Sequence, residues 1–488
     1  MNNISVTDLR LKFPGEDGLL FKDLSFSVRP GEKVLMLGPS GSGKSTLLQV
    51  LSGIIPNSIE LPMKVKDIQL PDSWGFVFQD PDTQFCMTYV DEELAFVLEN
   101  LQVPREEMTL RIEEVLKRVD LHVKDPHTPI NEMSQGMKQR LALASVLLLE
   151  PDVLFLDEPS ALLDPEGTQQ IWTSIKEATA DKTVIIVEHK IDLIADWVDR
   201  VVLFNDHGVM IADGSPAEIF ANFQQELKRY GIWYPGVWEE YKTSKAFQSM
   251  TKNRQAVASQ EKIQIQDFHG YRGQAEKISV KQATVQAGDW ITIVGENGSG
   301  KSTLLLSLMQ LLRTNGVYEV NGVPIIWKKK KRQLPKGLSL VFQNPELQFV
   351  TNSITEELTV SLHGMPKADA EHYAKELIRS FNLPYSVSRH PYQLSTGQKR
   401  RLSVATALTP HTDILLLDEP TFGQDARNTF AILEKLEQLR TEGMTILMVT
   451  HDTEIVVNFA TAIWTVVDGV LHTANVAGGA KNVQLVHT

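Results

Sequence analysis

One series of motifs occurs twice, in the same order, along this chain, and that repetition limits the fold more than any other feature. GPSGSGKST at Gly38–Thr46 returns as GENGSGKST at Gly295–Thr303, an offset of 257 residues. VFQDP at Val77–Pro81 returns as VFQNP at Val341–Pro345, an offset of 264. MSQGMKQRLALA from Met133 returns as LSTGQKRRLSVA from Leu394, and LFLDEPS ending at Ser160 as LLLDEPT ending at Thr421, both at 261. VEHK at Val187 returns as VTHD at Val449, an offset of 262. Self-similarity at one period across several motifs marks a duplicated domain. The 488 residues exceed what one core organises and suit two domains of roughly 200–250 residues.

Each copy opens with a β-branched strand pattern, a glycine turn and a helix: KVLMLG-PSGSG-KSTLLQVLSG and WITIVG-ENGSG-KSTLLLSLMQLL. The apolar runs Val153–Asp157 and Ile414–Asp418 read as buried parallel strands ending in acid. EELAFVLENL and MTLRIEEVLKRVDL carry apolar residues at helical spacing. Alternating strands and helices predict an α/β architecture with a doubly wound core in each half. The polar stretch Tyr241–Lys262 carries the join, which divides the chain into residues 1–245, a linker over 246–262, and residues 263–488. The second copy holds extra residues between its first two motifs, including the basic run Lys328–Arg332.

Composition narrows the classes. Hydrophobic residues at 42% and charged residues at 22% are ordinary for a globular chain and exclude disorder. A net charge of −13 argues against nucleic acid as a partner, since phosphate binding is driven by Lys and Arg. The single cysteine, Cys86, excludes an internal disulfide or a cysteine-built metal site. The N-terminal segment MNNISVTDLR lacks the apolar core of a signal peptide. The uncharged stretch Ile455–Val467 is shorter than the roughly 20 residues a spanning helix needs. The expectation is a cytosolic chain whose membrane contact is peripheral.

GxxxxGK[ST] is a phosphate loop, and its chemistry explains its residues. Gly38, Gly41 and Gly43 let backbone amides approach an anion, and the following helix turns its positive N-terminus toward it. Lys44 supplies charge to the β- and γ-phosphates, and Ser45 offers a hydroxyl to Mg²⁺. Gly295, Gly298, Gly300, Lys301 and Ser302 repeat the arrangement. The nucleotide-contacting loop residues are therefore Gly38, Pro39, Ser40, Gly41, Ser42, Gly43, Lys44, Ser45 and Thr46, with Gly295, Glu296, Asn297, Gly298, Ser299, Gly300, Lys301, Ser302 and Thr303 in the second copy. Asp157 and Asp418 close apolar strands beside these loops, where a carboxylate can hold Mg²⁺. Glu158 and Glu419, one residue further, are placed to act as general bases on water. A single Asp-Glu pair reads as an exposed acidic turn; its recurrence 113 residues after Lys44 and 117 after Lys301 favours chemistry.

With these residues in hand, the chain resembles an ATP-binding-cassette ATPase, with two cassettes in one polypeptide. The resemblance implies two ABC nucleotide-binding domains, each a RecA-like parallel-sheet core with an antiparallel β subdomain and a helical subdomain. Ser134, Gln135 and Gly136, and Ser395, Thr396, Gly397 and Gln398, correspond to the signature that binds the γ-phosphate held by the opposite cassette, so the two halves form an intramolecular dimer. Gln79 and Gln343 match the glutamine that contacts Mg²⁺ and senses a membrane partner; with Ser45, Asp157, Ser302 and Asp418 they form the implied metal sets. His189 and His451 match the switch histidine, following the base by 31 and 32 residues. An aromatic stacks on adenine upstream of the loop: Phe13 in the first copy, Phe268 or Tyr271 in the second. The first signature departs from the family pattern at Gln135 and Met137, and the second D-loop reads FGQD over Phe422–Asp425 against ALLD over Ala161–Asp164.

FQDPDTQFCMTYVDEELAFVLEN and FQNPELQFVTNSITEELTV are similar to ATPase subunits of energy-coupling-factor (ECF) importers of vitamins and metal ions. The two-cassette fusion is similar to the ATP-binding protein of hydroxymethylpyrimidine/thiamine importers. The implied cofactors are ATP and Mg²⁺. The implied partners are a transmembrane coupling subunit and a substrate-binding membrane subunit, at the cytoplasmic face of the cell membrane. Phe85 and Phe349, six residues past each glutamine, are candidates for lining the partner's groove or for anchoring their own subdomains, with Tyr89 and Val350 as weaker linings. WKKKKRQ (Trp327–Gln333) reads as a solvated hairpin tip before a nucleic-acid or lipid patch. Tyr230, Trp233, Tyr234, Trp238 and Tyr241 read as the first domain's tail packing on its own core before a docking surface. The rival class is a tandem-cassette translation factor on ribosomes, which the short join and acidic charge disfavour. A DNA-repair cassette would need an inserted coiled coil, and no sustained heptads occur.

Overall fold

The computed structural model describes residues 3–15, 18–39, 41–161, 163–252, 260–328, 334–362, 364–384 and 389–475. Ser40, Leu162, residues 253–259 of the expected linker and residues 329–333 of the basic run lie outside the described residues, as does the side chain of Thr396. The chain forms two compact units: Met1–Val237 with Asp425–Arg427, and Trp238–Gln424 with Asn428–Thr488.

In the first unit the core sheet runs, edge to edge, Met210–Gly214, Arg200–Phe204, Lys33–Leu37, Thr183–Val187, Val153–Asp157 and Trp74–Val77. All neighbours are parallel except the first pair. Every residue of Val153–Asp157 and Thr183–Val187 is buried, as expected for central strands covered on both faces. A separate antiparallel sheet joins Ile4–Leu11 to Phe21–Val28 and to the short strands Met63–Lys64 and Asp67–Gln69. The helices Val90–Asn100, Arg105–Arg118 and Gln135–Leu147 form the helical subdomain.

The second unit repeats the core order as Val470–Asn475, Ala462–Val467, Trp290–Val294, Thr445–Val449, Ile414–Asp418 and Leu338–Val341. Here the antiparallel strands are continuous with the core. One parallel pairing, Ser279 with Val470, joins the long hairpin Glu261–Arg272 and Ala275–Gln286 to the core edge and makes a ten-stranded sheet. Its helical subdomain is Ile354–Thr359, Lys367–Ser380 and Thr396–Thr406.

Register sets the functional end of each core. Met36 and Asp157 both pair with Val187, and Ile293 and Asp418 both pair with Val449. The carboxyl ends of three strands therefore stand level. Phosphate loop, acidic pair and histidine leave the sheet together, where open α/β sheets bind ligands.

The aromatic tail divides. Tyr234 is buried in a core cluster of the first unit, with Tyr230 packed against it. Trp238 and Tyr241 pack instead in the second unit, where the Tyr241 ring stacks on Phe430 at 3.9 Å and Trp238 meets Phe430 edge-on at 5.0 Å. Phe247 joins the same cluster. The expected packing of the whole tail on its own domain is corrected: β-branched and aromatic side chains bury where apolar surface is open, and Phe430 and Phe459 supply it.

Candidate nucleotide sites

Gly43 and Gly300 cap the helices Lys44–Leu51 and Lys301–Leu308 in the left-handed region, at φ 92° and 115°. A Cβ at Gly43 would lie 2.8 Å from the Phe21 ring, and one at Gly300 would lie 2.7 Å from the Lys277 carbonyl, so only glycine fits. Each helix thus starts abruptly at its lysine. The buried Lys44 Nζ donates to the Gly38 and Pro39 carbonyls at 2.8 and 2.9 Å; Lys301 Nζ donates to Gly295 and Glu296 at 2.7 Å each. Burial brings the Lys44 ammonium down to about 8, against the pull of Glu158 and Asp157.

Ser45 Oγ donates to Asp157 Oδ1 at 2.8 Å, bringing together the hydroxyl and carboxylate expected to hold Mg²⁺. Burial pushes the Asp157 carboxyl up to about 6, and Glu158 adds to that while Ser45 and Lys44 oppose it. Asp418 is raised for the same reason, with a hydrogen bond from Ser302 opposing. Its Oδ1 is buried without a hydrogen-bond partner among the described residues. A buried carboxylate with an open oxygen beside a serine hydroxyl suits a small hard cation, so both residue sets fit Mg²⁺.

Both second acids follow their strands in left-handed backbone, Glu158 at φ 49° and Glu419 at φ 50°. Such non-glycine geometry concentrates at functional sites. The Val187 and Val449 carbonyls hold it, accepting from the two glutamate N–H groups at 2.8 and 3.1 Å. Around Glu158, Gln79 Nε2 donates to Oε2 at 2.7 Å and His189 Nε2 lies 2.9 Å from Oε1. Burial raises the Glu158 carboxyl, but the His189 hydrogen bond and charge, with Lys44 behind, hold it below its ordinary value. His189 is raised in turn, because Glu158 outweighs burial. In the second copy His451 Nε2 lies 3.2 Å from Glu419 Oε1 without hydrogen-bond alignment, and among the described residues Gln343 makes no bond to Glu419.

Each signature serine caps its helix. Ser134 Oγ accepts from the Met137 N–H at 3.3 Å. Ser395 Oγ accepts from the Gln398 N–H, and Gln398 Oε1 accepts from the Ser395 N–H at 3.1 Å, a full capping box that Met137 cannot make. Gln135 is exposed at the first helical position. A Cβ at Gly397 would come within 2.5 Å of Asn428, whereas one at Gly136 meets nothing closer than 3.7 Å.

Of the aromatics, Phe13 is exposed. Phe268 is 1% exposed, in the core against Tyr318, and offers no face to a ligand. Tyr271 stays partly exposed under the Arg313 guanidinium at 4.9 Å, its hydroxyl accepting from Asn315 at 3.2 Å. Of the two readings open for Phe85 and Phe349, their burial favours anchoring of their own subdomains. Phe349 is buried in the second helical subdomain and Phe85 packs against the first, while Val350, at 73%, is exposed. Tyr89 stacks on His127 at 3.8 Å.

Several residues went unassigned in the sequence. Gln84 and Gln348 brace the segment after each motif glutamine against the signature helix, through Ala142 O at 3.0 Å and Ser403 O at 2.8 Å. Buried Glu93 accepts from the Cys86 and Met87 N–H groups, both at 2.8 Å, and buried Glu357 from those of Val350 and Thr351. Lys138 meets Asp82 at 2.6 Å and Lys399 meets Glu346 at 2.5 Å. The repeated Gln and Glu were the visible signal for this bracing. Arg400 had none. It is buried, donates to the Phe342 and Gln343 carbonyls, and burial brings it down to about 10 against the pull of Glu419 and Asp418.

The geometry agrees with the comparisons. The ABC transporter family model matches residues 21–161 and 279–422. YkoD of Bacillus subtilis (strain 168), provisionally named an HMP/thiamine import ATP-binding protein, is 35% identical over 99% of this chain and 92% of its own. A Sulfurisphaera tokodaii protein, provisionally named an ABC transporter ATP-binding protein, is 34% identical over 96% of this chain and 97% of its own. The archaeal ribosome recycling factor aABCE1, solved with the ribosomal stalk protein aP1, shares the fold at TM-score 0.64 and 20% identity, covering 96% of this chain and 89% of that one. The chain belongs to the ABC transporter family and is a tandem-cassette ABC ATP-binding protein.

Proposed function

We propose that this chain is the ATP-hydrolysing subunit of an ECF-type importer, energising uptake of a vitamin, vitamin precursor or metal ion through membrane partners. The observation that carries the reading is the likeness to YkoD across both cassettes. No helix of the described residues is long and apolar enough to cross a membrane, so import needs partner chains to form the path. The −13 charge supports a protein partner over nucleic acid. Its place in this reading is peripheral, on the cytoplasmic face of the membrane. The likeness to aABCE1 is one of fold alone and favours no ribosomal role.

Site one joins Lys44, Ser45, Asp157 and Glu158 to the signature Ser395–Gln398; site two joins Lys301, Ser302, Asp418 and Glu419 to Ser134–Met137. Duplication in one chain supplies both halves at high effective concentration. Lys44 and Lys301 exchange their loop carbonyls for phosphate oxygens. Ser45, Asp157 and Gln79, or Ser302, Asp418 and Gln343, would hold Mg²⁺, which would supply positive charge against the phosphates. Glu158 and Glu419 take the proton of the attacking water, and His189 and His451 hold the base and reach the γ-phosphate. Phe13 and Tyr271 stack on adenine.

Exposed Leu347, Val350 and Tyr392 offer the second helical subdomain's apolar surface to a partner's cytoplasmic helices, where the first copy has exposed Thr83, Cys86 and Asn131. Co-purification from mild detergent is the test: polytopic membrane proteins should accompany the chain, and Val350→Asp with Leu347→Asp should release them while ATP binding persists. Ribosomes in place of membrane proteins would sink this reading.

A further inference from the structure

Glu188, immediately before the switch histidine, is 3% exposed and has no part in the phosphate chemistry above. A carboxylate that far from water is costly unless its oxygens are satisfied. Here four donors satisfy it. Oε2 accepts from Ser160 Oγ at 2.7 Å and from the Ser160 N–H at 3.4 Å. Oε1 accepts from the His189 N–H at 2.8 Å and from the Lys190 N–H at 3.4 Å.

The two ends of this bridge lie on either side of the catalytic pair. Ser160 is two residues beyond Glu158 on the loop leaving Val153–Asp157, and His189 lies on the loop leaving Thr183–Val187. One carboxylate ties both loops and so sets the separation of Glu158 and His189, which stand 2.9 Å apart. The second cassette has Thr450 at this place. Its hydroxyl accepts from Asp452 N–H at 3.1 Å, within its own loop, and no side-chain bond joins Thr421 to that loop among the described residues. There the histidine and base are wider apart, at 3.2 Å, and unaligned.

We propose that Glu188 is a positioning residue of the first ATP site, holding His189 against Glu158 from behind, and that the second site works without such a tether. The inference rests on the ATPase reading of that site. It acts through geometry: small misplacements of reacting groups cost large factors in rate while leaving binding alone.

The test isolates each site by disabling the base of the other. In a Glu419→Gln chain, Glu188→Thr, which copies the second cassette, should lower kcat about tenfold with KM for ATP changed less than about twofold. In a Glu158→Gln chain the same substitution should leave kcat within about twofold. Glu188→Gln should restore most of the lost turnover, since its amide oxygen still accepts from the His189 N–H and its NH₂ can donate to Ser160 Oγ. If Glu188→Thr does not fold, Ser160→Ala cuts the same tether, and it should lower kcat only where the first site is live. Unchanged kcat in the Glu419→Gln chain, or equal losses in both backgrounds, overturns the proposal alone. A Glu419→Gln parent that hydrolyses no ATP overturns the ATPase reading of site one and this inference with it.

Discussion

The two cassettes carry the same lysine, acidic pair, glutamine and histidine, yet they surround the second acid of the pair differently. In the first, Glu158 is held by Gln79 at 2.7 Å and His189 at 2.9 Å, with Glu188 accepting from the His189 N–H. In the second, Glu419 has His451 at 3.2 Å, while Arg400 holds the main chain at Phe342 and Gln343. The first copy has Gln139 at that helix position, donating to Phe78 O at 3.3 Å. The first cassette holds Glu158 through two side chains and its glutamine segment through a neutral amide, whereas the second holds that segment through a buried cation. Motif identity therefore specifies which atoms can react, and the residues between motifs specify how firmly each is held.

The largest expected effect removes both bases. Glu158→Gln with Glu419→Gln should slow hydrolysis by roughly 10²-fold or more while equilibrium ATP binding persists. An unchanged rate would show that neither glutamate is the base.

Acid should act next, and more visibly on site one. Asp157 is raised to about 6 in the nucleotide-free chain, so its proton must leave before Mg²⁺ binds. Affinity for Mg²⁺ at site one should hold above pH 6 and fall by about tenfold per unit below it. Calorimetry on the Ser302→Ala chain should show one proton released per Mg-ATP near pH 5. Ordinary titration of Asp157 near pH 4 would break the argument.

Single substitutions measure the inequality directly. The second signature position carries Gln135 in the first copy and the shorter Thr396 in the second, so the bulkier side chain stands in Ser134–Met137, the signature proposed for site two. Glu158→Gln should then lower steady-state turnover more than Glu419→Gln, by about threefold. Equal losses would make the comparison a difference of structure without one of rate.

The smallest effect concerns the signature caps. Met137→Gln should complete the first capping box and stabilise that chain by about 0.5 kcal/mol, and Gln398→Met should cost the second a similar amount. Thermal unfolding reads both, and no shift in either direction would leave the two caps equivalent.

Features that depend on neighbours along the chain are legible in the residues alone. A GxxxxGK[ST] run closes as a phosphate loop because glycine takes the positive φ of Gly43 and Gly300 without strain. Four apolar residues followed by Asp make a buried strand with acid at its carboxyl end, and Val153–Asp157 and Ile414–Asp418 are such strands. Tertiary structure decided what depends on segments far apart. Phe349 turned inward and Val350 outward because Glu357, seven residues on, captures the Val350 and Thr351 N–H groups and fixes that loop. Phe268 lost its claim on adenine because Tyr318, on the neighbouring strand, closes over it. Trp238 and Tyr241 left the first core because Phe430 offered the better apolar face. Glu188 and Ser160 meet only because the parallel pairing of their strands sets Asp157 beside Val187, a register that nothing local to either residue encodes.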